Sequence, residues 1–456
     1  MMAAMDIQGF KSTFHGMVFE PPDAGYDEAR RIWNASVDKH PRLIARCSGA
    51  ADVIAAVSFA RANNLLTAIR GGGHNVGGRA LCDDGIVIDL SGLRSVHVDS
   101  TKRTVRVQGG ATLGDMDRET HVFGLAVPCG IVPKTGIGGL TLGGGVGWLI
   151  RKYGMTIDNL LSCQIVTAEG SVLTASASEH EDLFWALRGG GGNFGVVISF
   201  EFRAHSVHTV LGGLLVYPRP AAIDVIRHFR DFMQSAPDEL TAYAALLHGP
   251  DGSPIVGVIP CYCGDIAEGE RVLAPLRRFG SPVMDAIQPL PFPAMQSLLA
   301  PAFPDRTQNY WKSTLQRELP DEAIAAIVEQ GNQMRSPLSF LVIEYYGGAA
   351  GRIANDATAY PHRNLPWDIL FGAQWTDPLE TSIHRDWARS GEDVLRPYSA
   401  NAHLSSALDV EAQEVIQTAF GANLPRLRAI KEKYDPANFF RVNYNITSAS
   451  AQAGAA

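Results

Sequence analysis

Apolar positions recur with two different periods along the first half of the chain, and the switches between them mark its elements. Val53, Ala56, Val57 and Ala60 follow Asp52 at helical spacing, which predicts an amphipathic helix capped by that aspartate. The apolar run Leu65–Ile69 then predicts a strand ending at Arg70. Ile86–Leu90, Val96–Asp99 and Thr104–Gln108 read as further strands, followed by a helix from Leu113 to Thr120. Gln164–Thr167 and Ser171–Thr174 flank Ala168-Glu169-Gly170 and predict a hairpin. After Arg203 the glycine clusters stop, and prolines such as Pro218, Pro220, Pro289, Pro291 and Pro293 punctuate alternating strand and helix patterns. The texture changes near His205. A last segment combines a helical run from Leu424 with a turn at Tyr434–Arg441, where Pro436 and Asn438 stand. The pattern as a whole is that of an α+β protein.

Composition sets outer bounds. A chain of 456 residues is too long for one ordinary core, so two domains are expected. Hydrophobic content of 46% with 19% charged residues describes a folded soluble protein, and a net charge of −8 argues against a nucleic-acid partner. The longest apolar stretches, such as Ser339–Tyr346, have strand length and fall short of a membrane span. Six scattered cysteines without CxxC spacing predict neither a zinc cage nor a disulfide framework, and no metal is expected. Met1–Phe10 has no basic region and no apolar core of a signal peptide, so a cytoplasmic protein is expected.

Chemistry concentrates in three glycine-rich segments: Gly71–Gly78, Gly136–Gly147 and Gly189–Gly195. In Arg70-Gly-Gly-Gly-His74-Asn75 a strand ends in bare backbone and then presents an imidazole. Adjacent glycines let backbone N–H groups approach an anion, and a neutral ring nitrogen beside them can act as nucleophile or ligand. Taken alone, the hexapeptide also reads as a plain turn. Gly190, Gly192 and Gly195 spell a formal GxGxxG, yet the helix-like His180–Arg188 precedes it and the strand-like Val196–Phe200 follows. That order is the reverse of a dinucleotide-binding βαβ unit. The chain has no Gly-Lys dipeptide, which excludes a Walker loop.

The ordered set Arg70–Asn75, Thr135–Trp148, Arg151–Gly154, Asp158-Asn159, Gly189–Phe194 and Tyr434–Phe439 resembles the berberine bridge enzyme-like branch of the vanillyl alcohol oxidase flavoproteins, over roughly residues 40 to 446. The resemblance implies a bipartite FAD-binding domain, residues 1–204 joined by 405–456, with a substrate-binding domain at 205–404 inserted between them. It implies that His74 bonds covalently to the FAD ring, with Gly71, Gly72, Gly73 and Asn75 at the pyrophosphate and Arg70 among the cofactor-binding residues. Gly136, Gly138, Gly139, Gly143 and Gly147 form the second loop, Asn193 and Val196 border the nucleotide, and Asn443 and Asn445 approach the cofactor from the C-terminal segment. Many relatives make a second flavin bond through Gly-x-Cys-Pro; here Gly130-Ile-Val132-Pro133 puts valine in the cysteine slot, so a single link is expected. Cys129, three residues upstream, is either a second attachment or a buried thiol.

For the chemistry itself, the resemblance places a carboxylate facing the flavin at Asp368. Tyr346 is either its polar neighbour or a core residue. The slot where relatives often carry a tyrosine base holds Ala402, so the base is expected at Asp368, with the adjacent His403 and Tyr346 as the alternatives, and Thr135 stands beside the reactive flavin carbon with a size that admits oxygen. The implied activity is an FAD-dependent oxidase: a base removes a proton from an alcohol or amine, hydride passes to the flavin, and molecular oxygen yields hydrogen peroxide. The alternatives are a flavin dehydrogenase with another acceptor, and a flavoprotein that binds a small molecule with little turnover. No motif fixes the substrate.

Overall fold

Strands that read as unbroken apolar runs need cover on both faces. In the computed structural model, which describes residues 5–402 and 416–447, Leu43–Arg46, Ile86–Asp89 and Thr67–Arg70 run parallel, with Met17–Phe19 antiparallel on the outer edge. Leu43, Ala45, Ile86 and Ile88 pack with Val53, Ala56, Val57 and Ala60 of the helix Ala50–Ala62. Ile44, Ala68 and Val87 pack on the other side with Tyr26, Ala29 and Leu81. The helix starts before the expected cap: Asp52 lies in its first turn, where its buried carboxylate accepts from the Ser48 N–H and hydroxyl and from the His15 N–H. This crossover delivers the chain to Arg70.

A second, antiparallel sheet orders Val96–Asp99, Thr104–Gln108, Val196–Arg203, Leu160–Val166 and Val172–Ser176 side by side. Its last two strands form the expected hairpin. The helix Leu113–His121 is fixed at its start by a reciprocal pair, Thr112 with the Asp115 N–H and Asp115 with the Thr112 N–H. The helix Glu181–Leu187 precedes the third glycine segment and the strand Val196–Arg203 follows it, so the formal GxGxxG lies outside a βαβ unit.

The third sheet has nine strands, and its centre sets Leu240–His248, Phe340–Tyr345, Trp367–Trp375 and Gln308–Gln316 next to one another in antiparallel register. Alternation divides it into two unlike faces. Ala242, Ala244, Leu246, Leu341, Ile343, Trp367, Ile369 and Phe371 are buried with residues of the helices Ala222–Ser235, Asp321–Asn332 and Thr381–Leu395. The opposite face carries Tyr243, Glu344, Asp368 and Leu315 as one cross-strand row. No helix among the described residues is long and apolar enough to cross a membrane.

The chain then returns to the first two sheets. Leu424, Leu427 and Ile430 of the helix Leu424–Tyr434 share a core with Phe194 and Phe200, while Phe439 and Phe440 share one with Val196 and Ile198. Between them Lys431 is fully buried, its Nζ donating to Asn193 O at 2.7 Å, Asp435 Oδ2 at 2.6 Å and Phe440 O at 2.9 Å. Burial pulls the Lys431 ammonium below its usual range and the Asp435 carboxylate opposes that pull. Asp435 in turn accepts from the Phe439 and Phe440 N–H groups. Lys431→Met leaves the Asp435 charge buried without a cation, and should cost about 3–5 kcal/mol in equilibrium urea unfolding. A loss under about 1 kcal/mol would mean that the phenylalanines alone hold the returning segment.

Candidate active site

The first two predicted glycine loops meet backbone to backbone. A Cβ on Gly72 would come within 2.4 Å of the Gly136 nitrogen, and one on Gly136 within 2.2 Å of the Gly72 nitrogen, so the first two loops abut with no room for side chains. Gly71 approaches the Gly109 carbonyl, Gly138 does the same, and a Cβ on Gly147 would strike the Cys129 carbonyl at 1.9 Å. Gly73 sits at φ +65°, a conformation that favours glycine. Gly139 differs: it is exposed, and a Cβ there would meet nothing within 4 Å. The edge of the second loop is thus open for a ligand to approach its backbone.

His74 follows the first loop at the wall of a cavity of about 1350 Å³, together with Arg70, Gly71, Gly72 and Gly73. Its ring stacks on Trp33 with centroids 4.3 Å apart, and Trp33 meets Trp311 edge-on. Burial pushes the imidazole down to about 4, so the ring is neutral at physiological pH, and its Nε2 has no hydrogen-bond partner. Arg70 serves its own strand: the guanidinium donates to the Ala29 carbonyl and to Asp89, which also takes Arg46. Burial alone would raise the Asp89 carboxyl, and the two guanidiniums hold it low. The Asn75 Oδ1 accepts from the Arg79 N–H and closes the loop.

The third loop is tied to the C-terminal segment. Asn193 is fully buried, donating to the Gly190 carbonyl and accepting the Ile446 N–H, and Asn443 Nδ2 donates to the Gly192 carbonyl at 2.8 Å. Asn445 follows on the same segment, and the Tyr444 ring between them lies under the Arg79 guanidinium. Val196 packs into the core of the parallel sheet. Thr135 is half-buried, its carbonyl accepting the Leu113 N–H and its N–H donating to the Val132 carbonyl, with Val132 buried beside it. Gly143 ends the short helix Ile137–Leu142. Cys129 faces the core, where its Sγ accepts from Gln296 Nε2, and burial pushes the thiol well above its usual range.

A second centre lies on the large sheet. Asp368 stands directly across from Glu344, and Glu344 across from Tyr243. Tyr346, one residue past the end of its strand, places its hydroxyl between the two carboxyls, bonded to Glu344 and 3.2 Å from Asp368 Oδ2. Asp368 is 1% exposed, Tyr346 5% and Glu344 7%. Burial pushes Glu344 up to about 7, and burial plus the neighbouring Glu344 charge push Asp368 well above the carboxylate range. The Ser313 hydroxyl favours the charged form of Asp368. Tyr346 remains a phenol, held well above its usual range by burial and the two carboxyls. The next row on the same face, Val342 and Leu370, is partly open.

The expected site residues therefore form two groups. Asp368 and Tyr346 meet in the carboxyl cluster, which also packs against Ala402 and Leu315. His74 and the glycines of the first loop line the large cavity, whose wall does not include Asp368 or Tyr346. His403 lies outside the described residues. Sequence reasoning did not single out Glu344, Tyr243 or Trp33. The signal for Glu344 is its position in Glu344-Tyr-Tyr346, an acid in a strand otherwise apolar.

Residues 41–176 match the FAD binding domain family, and residues 407–447 match the berberine and berberine-like family. An FAD-linked oxidoreductase of Dictyostelium discoideum is 31% identical over 97% of both chains. The (R)-6-hydroxynicotine oxidase of Paenarthrobacter nicotinovorans is 33% identical, covering 95% of this chain and 97% of that one. Among solved structures, 6-hydroxy-D-nicotine oxidase from Arthrobacter nicotinovorans superimposes with a TM-score of 0.87 at 30% identity, over 95% of this chain and 98% of the other. A berberine bridge enzyme-like protein of Physcomitrella patens shares the fold at the same score and 24% identity. With open backbone at Gly139, stacked glycine loops and these relatives together, the chain belongs to the berberine bridge enzyme-like FAD-linked oxidoreductases, of α+β fold.

Proposed function

We propose that this FAD-dependent oxidoreductase is an oxidase that takes a hydride from an alcohol or amine carbon of a small organic substrate, with molecular oxygen as the final acceptor. The observation that carries the reading is the pairing of a neutral imidazole, its Nε2 unpartnered, with a glycine cradle that leaves backbone open to a ligand. Gly71–Gly73 and the edge at Gly139 would hold the pyrophosphate through N–H groups, and His74 would carry the flavin covalently. A neutral imidazole has the free lone pair that such attachment requires. Cys129 is a poor second attachment, since its buried thiol is engaged by Gln296 and resists ionisation. Bound FAD supplies the hydride acceptor and the reaction with oxygen.

The chain's own task is to orient the substrate and take up its proton, and the carboxyl cluster of Asp368, Tyr346 and Glu344 suits it. On this reading residues 1–204 and 405–456 grip the cofactor and 205–404 carry the substrate face. The six buried, unbridged thiols fit a reducing compartment such as the cytoplasm.

Acid precipitation of wild-type protein should leave the flavin on the polypeptide, whereas His74→Ala should release it as free FAD and Cys129→Ala should retain it. A flavin peptide containing Cys129 would reject the single link. Thr135 bears on oxygen: Thr135→Leu should slow reoxidation of the reduced enzyme by air more than it slows anaerobic reduction. Wild-type enzyme that is reduced by substrate but not reoxidised in air would be a dehydrogenase instead.

A further inference from the structure

Two carboxylates and one phenol would have a single proton for the two contacts they make, and counting protons decides where the charge sits. The Tyr346 hydroxyl touches Glu344 Oε2 and Asp368 Oδ2. A phenol has one proton to donate. With that proton on Glu344, the nearer partner, the 3.2 Å contact to Asp368 is a hydrogen bond only if Asp368 is the donor, as a neutral carboxylic acid. Burial favours this arrangement, because two adjacent carboxylates with 1% and 7% exposure would repel one another in a dry setting. The pKa directions agree: Asp368 stands well above the carboxylate range and Glu344 at about 7.

The groups facing the pair are Tyr346, Tyr243 and Tyr360, with the Ser313 hydroxyl; none is a cation. Lys312, on the neighbouring strand, points to the other face and pairs with Glu392. Arg151 lies over the Tyr345 ring and donates to the carbonyls of Ala236, Pro237 and Leu240. Tyr243 is 1% exposed, its buried hydroxyl has no hydrogen-bond partner, and it feels both carboxyls. A buried anion that meets no cation among the described residues, beside an unsatisfied phenol, calls for a cationic hydrogen-bond donor.

We propose that Asp368 stays protonated and locks Tyr346 onto Glu344, leaving Glu344 as the carboxylate that seats a protonated amine and accepts its N–H proton. This rests on the oxidase reading and names its substrate class. In the step, the N–H bond breaks, an O–H bond forms on Glu344, and the electron pair stays on nitrogen, giving the neutral amine whose carbon can release hydride. Asp368 is then a positioning residue and Glu344 the catalytic one.

The test reads the carboxyls in the holoenzyme through the infrared carbonyl stretch of neutral carboxylic acids, over a pH series centred on 7. Asp117, buried and also pushed up to about 7, gives a background common to all variants. Asp368→Asn should remove an acid band that persists above that pH in wild type. Glu344→Gln should keep the band but let it titrate at lower pH, because the neighbouring charge is gone. Tyr346→Phe should move it to the frequency of an unbonded acid, a check that does not depend on Asp368→Asn folding. Methylammonium chloride should lower the pH at which Glu344 ionises, and methanol or sodium chloride should not. A band lost in Glu344→Gln but kept in Asp368→Asn would put the proton on Glu344 and overturn the assignment, as would the absence of any such band. Methylammonium acting no more than sodium chloride would overturn the amine seat.

Anaerobic flavin reduction by an amine substrate supplies the catalytic readout. Glu344→Gln should slow it by roughly a hundred- to ten-thousand-fold. Asp368→Asn, whose amide can still donate to Tyr346, should restore most of what Asp368→Ala loses. Asp368→Asn as slow as Asp368→Ala, with Glu344→Gln close to wild type, would make Asp368 the base. Wild-type flavin that no amine or alcohol reduces would sink the oxidase reading, a result separate from the infrared outcome.

Discussion

The ammonium of Lys431 is the point through which the returning C-terminal segment becomes part of the fold. It has three protons and three acceptors, one on the third glycine loop and two on the turn that follows its helix, so burial leaves none of its donors unpaired. Desolvating an ammonium costs several kcal/mol, and the cost is offset only when the geometry is complete. Completion needs Asn193 and Phe440 in place at once. The pair therefore couples a loop near the middle of the chain to a turn near its end, and Asn443 and Ile446 add hydrogen bonds to that same loop. A fold assembled from sequence-distant pieces gains a specific register this way, which apolar packing of Leu427 and Ile430 alone would leave free to slide.

The large sheet solves a different problem. Its helix-covered face is apolar and its other face must present polar groups while staying largely dry. Cross-strand register does this economically. Glu344, Asp368 and Tyr243 come from three strands, yet alternation puts all three on one face and pairing puts them in one row. A one-residue slip in any strand would send its member of the row beneath the helices. Register there is held by neighbours such as Ile343 and Ile369, buried on the opposite side, so the hydrophobic core fixes the position of the polar groups.

Those two cases explain what could be read in the sequence. Glycine loops are legible because their constraint is local: Gly72 and Gly136 are glycines since backbone fills the space of a side chain, and the run of identical letters displays it. The helix Ala50–Ala62, the strands around Val98 and Val105 and the 160–176 hairpin were equally plain, as short-range periodicity. Asp52 misled by one turn, since an aspartate three residues into a helix can take the N–H groups of the preceding residues as well as a capping aspartate takes those that follow. The role of Glu344 was harder to read than its presence, for a deeper reason. Its chemistry depends on a residue 24 positions away, brought across by strand pairing that no local pattern encodes.

The same contrast separates grip from chemistry in this fold. Binding a pyrophosphate through backbone N–H groups asks for glycines and for no cation, which suits an acidic chain. Proton transfer asks instead for a group whose charge is costly where it stands, because only then does it titrate near neutral pH. Burial raises both carboxyls, but burial cannot choose between them; in the proposed arrangement the Tyr346 hydroxyl does, by giving its one proton to Glu344 and taking one from Asp368. On that proposal the tyrosine just past the strand is the residue that makes two neighbouring acids unequal, and the base would be set by a hydrogen-bond direction as much as by the identity of a side chain.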